Sequence, residues 1–244
     1  MPIFKSSVLL LLAVSLIGCS AGPMPEAQAQ LARALESGRA QQHDGFYEFL
    51  PADAATTQKT CFVFYPGGLV SAAAYVPYVE RISEAGYPSY LLQLPMNLAV
   101  MAMGAADKVK TNTDIAKRCD HYVIGGHSLG GVAAANYMLS NARDGLLLLA
   151  AYPQESKPIT DHRGPAVSIF ASNDGLTTQA DIDASKATMP AATRWVEVAG
   201  GNHAQFGWYG VQDGDGESSI TREKQQQLVH STTLALLAEM GSTE

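Results

Sequence analysis

The chain has 244 residues, a formal net charge of −7, and 47% hydrophobic against 16% charged side chains. This balance fits one packed domain and excludes a disordered chain. The negative charge speaks against nucleic acid or anionic lipid as an electrostatic partner, and no phosphate loop, HExxH helix or Cys/His zinc cluster points to a metal or other cofactor.

Residues 1–18 read as a secretory signal. Lys5 is their only charge, and the apolar run from Val8 to Ile17 is too short to span a bilayer as a mature helix. The run ends Leu16-Ile17-Gly18-Cys19, which resembles the lipobox of bacterial lipoproteins, where the cysteine is lipidated and becomes the first mature residue. An ordinary signal with an incidental cysteine is the alternative. Ser20 stands where an inner-membrane retention signal usually carries Asp, so the resemblance favours the outer membrane. The expectation is an exported protein held at a membrane by acyl chains on Cys19. Residues 19–30, rich in Ala, Gly, Pro and Gln, read as a tether, which leaves residues 31–244 as the domain.

Leu31 to Gln42 is expected to be helical, with Leu31, Ala34 and Leu35 at helical spacing. Gly45 to Leu50 reads as a short strand. Thr60 to Tyr65 is an apolar run that meets a turn at Pro66-Gly67-Gly68. A helix over Ala73–Ala85 stops at Gly86, and a strand over Pro88–Leu94 closes at Pro95. Met96 to Cys119 reads as largely helical. A strand over Asp120–Gly125 runs into Gly126-His127-Ser128-Leu129-Gly130-Gly131, followed by a helix over Val132–Asn141. Gly145–Tyr152, Ala166–Ala171 and Thr193–Ala199 read as strands, Asp181–Thr188 as the helix before the last of them, and Arg222–Met240 as a closing helix. This alternation predicts an α/β fold: a mostly parallel central sheet with helices on both faces. Ligands in such sheets bind beyond the carboxyl ends of the strands.

Gly126-His127-Ser128-Leu129-Gly130 matches G-x-S-x-G between a strand and a helix, the context in which a serine is lifted out of the sheet on a strained turn. Small residues are needed two positions either side, because strand and helix nearly touch there. Without that context, the glycines could serve close packing alone. A serine hydroxyl is a weak nucleophile and needs a base. His43 precedes the sheet, His121 opens a strand at the wrong end, His127 points away from its neighbour Ser128, and His230 lies late in the closing helix. His162, in a loop, is possible. His203 follows Gly200-Gly201-Asn202 just beyond the last strand, at the end where Ser128 lies, and is the expected base. An imidazole needs a carboxylate to fix its tautomer. Asp174, in the turn after Ala171, is placed for this. Asp161, Asp181 and Asp183 compete, the last two reading as helix-start residues. The order Ser128, Asp174, His203 is the α/β-hydrolase order. The oxyanion donors are expected to be the N–H of Leu129 and that of Gly68, with Leu69 as the competing register.

With these residues in place, the sequence resembles the α/β-hydrolase superfamily from about Tyr47 to Leu237. Phe62-Val63-Phe64-Tyr65-Pro66-Gly67-Gly68, Leu94-Pro95-Met96-Asn97-Leu98 and Gly201-Asn202-His203-Ala204-Gln205-Phe206-Gly207 are similar to a group of compact bacterial α/β hydrolases. The resemblance implies a hydrolase with no metal or organic cofactor. Pro66 stands where many lipases and esterases carry His, and no long insertion separates Tyr152 from Ala166, so no large lid is expected.

Two cysteines remain in the mature chain, Cys61 and Cys119. An even pair in an exported protein suggests a disulfide, with two buried free thiols as the alternative. In the fold the resemblance implies, both sit at the beginnings of neighbouring strands, so a Cys61–Cys119 bridge away from the active end is expected. The functional expectation is a serine hydrolase acting on a small-molecule ester. The alternatives are an amidase or peptidase on the same scaffold, and a non-catalytic lipoprotein that keeps only the fold. Tyr75, Met96, Phe206, Trp208 and Tyr209 read as pocket-lining, core or rim residues.

Overall fold

Runs such as Thr60–Tyr65 and Gly145–Leu149 are buried at every position, as strands covered on both faces must be. In the computed structural model, which describes residues 21–243, these runs form the middle of one eight-stranded sheet. Residues 1–18, expected to be a signal, and Cys19 lie outside the described residues.

Helix α1 (Pro25–Glu36) is followed by β1 (Ala40–His43), β2 (Phe46–Phe49) and β3 (Thr60–Tyr65). A 3₁₀ turn (Ala72–Tyr75) leads into α2 (Val76–Glu84) and β4 (Ser89–Leu92). Two short helices, α3 (Asp107–Lys110) and α4 (Thr113–Ala116), precede β5 (His121–His127), α5 (Leu129–Tyr137) and β6 (Gly145–Leu149). The chain ends with β7 (Ala166–Ala171), α6 (Gln179–Ser185), β8 (Arg194–Val198) and α7 (Arg222–Gly241). The sheet order is β1-β2-β4-β3-β5-β6-β7-β8. β1, β2 and β4 pair antiparallel and all other neighbours pair parallel.

Alternate residues of each inner strand serve opposite layers. Phe62, Phe64, Val123 and Leu147 pack with α1, α2 and α7. Val63, Tyr65, Ile124 and Leu148 pack with α3, α4 and α5. The parallel sheet covered on both faces agrees with the expectation.

Three elements differ from it. The first helix starts at Pro25, inside the segment read as a tether, and ends at Glu36. Ala27, Leu31 and Ala34 form its buried stripe, so an Ala/Gln-rich composition concealed an amphipathic helix. Residues 40–42, expected to close that helix, and His43, expected to precede the sheet, instead form β1 and turn through Asp44-Gly45 into β2, with His43 opposite Phe46. Asp-Gly is a hairpin turn signal, and Gly45 adopts φ +89°. Finally, Met96–Cys119 is not one long helix but two 3₁₀ turns (Pro95–Asn97 and Ala99–Met101) and two four-residue helices. Met96 and Asn97 hold left-handed backbone, and the Asn112 side chain caps a fresh start at α4.

Cys61 and Cys119 are joined by a disulfide with 5.6 Å between Cα atoms. It lies at the amino ends of β3 and β5, away from the site below. Closing a loop of sequence separation 58 stabilises the fold by about 4 kcal/mol in the chain-entropy description.

Candidate active site

Ser128 lies between β5 and α5 with φ 51° and ψ −125°. A non-glycine residue there is strained by about 1–3 kcal/mol, and the neighbours enforce it. A Cβ on Gly126 would run into the backbone of Gly130, and one on Gly130 into the carbonyls of Tyr65 and Pro66. The Ser128 N–H is fixed to the Leu149 carbonyl at 2.9 Å. A serine at a helix N-cap normally uses its hydroxyl to cap; that of Ser128 makes no capping bond. All five non-glycine residues with positive φ among those described, Leu69, Met96, Asn97, Ser128 and Ala150, sit in turns at the carboxyl ends of β3 to β6. Backbone strain is thus concentrated at the end where ligands bind in such sheets.

Asp174 follows β7 and His203 follows β8, so both lie at this same end. His203 Nδ1 is 2.8 Å from Asp174 Oδ2, and both side chains are buried. The other carboxylate oxygen of Asp174 accepts the N–H groups of Leu176 at 2.8 Å and Thr177 at 2.7 Å. Nδ1 therefore carries the proton it donates to Asp174, and Nε2 is the imidazole's remaining lone-pair site. Nε2 is buried with no hydrogen-bond partner among the described residues. Hydrogen bonds between a nucleophile and its base are often long before substrate arrives.

The turn after β3 lies against this elbow. A Cβ on Gly68 would press on the Leu129 side chain at 2.9 Å. The Leu69 N–H donates to the Asn97 carbonyl at 2.7 Å and that of Gly67 to Tyr75 Oη at 3.1 Å. Gly68, between them, has an amide with no partner among the described residues. Leu129 is the first residue of α5, where a helix leaves its N–H groups unpaired. The structure thus brings two unengaged amides to one place beside Ser128.

The rival side chains lie elsewhere or have other work. His162 is buried near the amino end of β7, and burial pushes its imidazole down to about 4. Asp181 closes a capping box with Thr178 at the start of α6, and Asp183 pairs with Lys186 on the surface. Asp161 is exposed.

Sequence reasoning did not find the residues that hold the site together. One Asp215 oxygen accepts the N–H groups of His203 at 3.1 Å and Gly175 at 3.2 Å, and the other accepts that of Ala204 at 2.8 Å. One carboxylate thus joins the loops that carry His203 and Asp174. Gln225, fully buried on α7, exchanges two hydrogen bonds with the Asn202 backbone. His127, set aside because it points away from Ser128, is buried with its ring centroid 4.5 Å from that of His203. Its Nδ1 lies 2.8 Å from Tyr75 Oη. Burial, with His203 alongside, holds the His127 imidazole well below the usual histidine range, so it is neutral. Tyr75, Phe206 and Tyr209 are buried around it, whereas Met96 is 72% exposed. Asp215 and Gln225 carried no sequence signal beyond a Gly-rich turn and a polar helix start. Among the described residues, no group of three or more His, Cys, Asp or Glu side chains is placed to hold a metal ion.

The fold and this arrangement define an α/β-hydrolase. The family model described as the alpha/beta hydrolase family matches residues 61–227, more than half of the chain, and the protein belongs to that family and is a hydrolase. Among solved structures it is similar to Est1E from Butyrivibrio proteoclasticus, with a TM-score of 0.59 and 11% identity over 82% of this chain and 98% of that one; at that identity the likeness is one of fold. No curated protein is significantly similar in sequence.

Proposed function

We propose that this hydrolase cleaves carboxylic esters through an acyl-enzyme on Ser128. His203 Nε2 takes the Ser128 proton as Oγ attacks the ester carbonyl. The amides of Leu129 and Gly68 hold the oxyanion. The tetrahedral intermediate collapses, the alcohol leaves with the proton from Nε2, and the acyl group stays on Oγ. Water then attacks that ester, giving up a proton to Nε2. The acid departs as the proton returns to Ser128. Asp174 orients the imidazole and stabilises the imidazolium.

The observation that carries this reading is the buried His203–Asp174 pair, with its free Nε2 at the end of the sheet where Ser128 stands uncapped. We further propose that the chain is exported and lipidated on Cys19, on the strength of Leu16-Ile17-Gly18-Cys19. The test is a panel of esters of varied acyl length beside matching amides, run on the wild type and Ser128→Ala. Ester turnover lost in the variant supports the reading; equal turnover by both proteins contradicts it.

A further inference from the structure

The first described residue of the chain sits at the rim of the site. Ala21 donates its N–H to the Leu69 carbonyl at 2.7 Å, and its own carbonyl accepts the Ser71 N–H at 3.1 Å. It thereby forms a parallel bridge to Val70, beside the turn that carries Gly68. Nearby, the Met24 N–H donates to the Trp208 carbonyl at 2.7 Å. Cys19 is two residues before Ala21, and two residues span at most about 7 Å. A lipid on Cys19 would therefore leave no slack between the acyl chains and the mouth of the site.

The exposed apolar side chains collect at the same end. Leu69, Met96, Val100, Met101, Leu176 and Val211 are among the exposed large hydrophobic residues. All six lie in segments leaving the carboxyl ends of β3, β4, β7 and β8. In the sheet order these strands flank β5 on both sides, so the apolar residues stand on either side of Ser128. From Pro88 to Ala106 the chain has no charged residue, so this part of the rim can leave water without stripping a charge; on the other side, near Val211, Asp213 and Glu217 are exposed carboxylates that disfavour an anionic surface. Arg143, Arg163 and Arg194 lie at the opposite end of the sheet.

We propose that the carboxyl-end face docks on an electrically neutral lipid bilayer, and that the enzyme draws its ester substrates from that bilayer. The anchor holds the mouth against the membrane, and the apolar rim sets its orientation. The substrate class is then a membrane-resident acyl ester rather than a freely soluble one. This rests on the assignments of Ser128 and Cys19 made above.

The test uses the full lipidated chain in phosphatidylcholine vesicles. Two substrates are compared, p-nitrophenyl acetate in water and a fluorogenic long-chain ester dissolved in the vesicles. A Met101→Ser/Val211→Ser variant that also carries a 20-residue Gly/Ser insert between Ser20 and Ala21 is expected to keep its turnover of the soluble ester. Its turnover of the vesicle ester should fall about tenfold or more, since two apolar side chains no longer favour docking. Unchanged turnover of the vesicle ester overturns the proposal. Docking is also read without catalysis, so that failure of the catalytic reading remains distinguishable. In Val211→Cys and, separately, Leu139→Cys, the new cysteine is the one free thiol, because Cys61 and Cys119 are bonded and Cys19 is acylated. A fluorophore at Val211→Cys should be quenched by nitroxide-bearing lipid, and one at Leu139→Cys should not. Equal quenching of the two overturns the proposal. So does a Val211→Cys signal that responds to protein concentration in detergent but not to lipid, which would give the rim to a second copy of the chain.

Discussion

Tyr75 Oη lies 2.8 Å from Nδ1 of His127 while accepting the N–H of Gly67 at 3.1 Å. The phenol and the neutral imidazole share one hydrogen bond between Oη and Nδ1. One buried phenol thus ties the turn after β3, with the Gly68 amide, to the end of the strand that presents Ser128. Tyr75→Phe leaves Gly67 N–H and His127 Nδ1 buried without partners. The expected outcome is a loss of stability of about 1–3 kcal/mol and a fall in kcat of roughly tenfold with KM little changed, measured by urea unfolding and steady-state ester kinetics. An unchanged kcat would mean that the turn holds its place without the phenol.

Asp215 fixes two loops at once. Asp215→Ala removes the acceptor shared by the backbones of His203, Ala204 and Gly175. Displacing a reacting group by about 1 Å costs on the order of 10²-fold, and a fall in kcat of that size is expected. The His203–Asp174 hydrogen bond should weaken with it, read as an upfield shift of the Nδ1 proton resonance. Asp215→Asn, which keeps an oxygen acceptor, should recover part of the loss.

Acid should begin to destabilise the fold above the ordinary carboxylate range, through buried imidazoles. His162 is buried with both ring nitrogens unpartnered among the described residues, and burial pushes its folded value down to about 4 from an ordinary 6.5. Below pH 6.5 the unfolded chain takes up a proton that the folded chain refuses, so stability falls as pH drops from 6.5 towards 4. His127 adds to the effect in the same direction. Urea midpoints across this window should decline in the wild type and decline less steeply in His162→Leu. Parallel profiles for the two proteins would place the acid sensitivity elsewhere.

The disulfide should matter for stability and not for chemistry. Cys61→Ser/Cys119→Ser is expected to lose about 4 kcal/mol in urea unfolding with kcat unchanged, because the bridge lies at the amino ends of β3 and β5. A large loss of kcat in a variant that remains folded would contradict that separation.

The parts of the fold that could be read from the residues are those whose constraint is local. The all-apolar runs of β3, β6 and β7 announce burial on both faces, and the glycines around Ser128 announce a place where no side chain fits. Asp174 and His203 were legible because each follows a recognisable strand. β1 was not, since Ala40-Gln41-Gln42-His43 has no strand-forming residue and is specified by its Asp-Gly turn and by pairing with β2. Asp215 and Gln225 were not, because their roles come from partners 11 to 40 positions away in the chain. The helix at Pro25 was concealed by a composition that also suits a linker, although Ala27, Leu31 and Ala34 carry its stripe.

In the proposed reaction everything depends on Ser128 being the nucleophile served by His203. The most direct test of this is the site of covalent attack by a fluorophosphonate, located by peptide mass spectrometry on the folded wild type, with labelling rates compared in Ser128→Ala and His203→Ala. One adduct is expected, on Ser128, absent from Ser128→Ala and formed far more slowly in His203→Ala. An adduct on another residue, or labelling that proceeds undiminished in either variant, would contradict it.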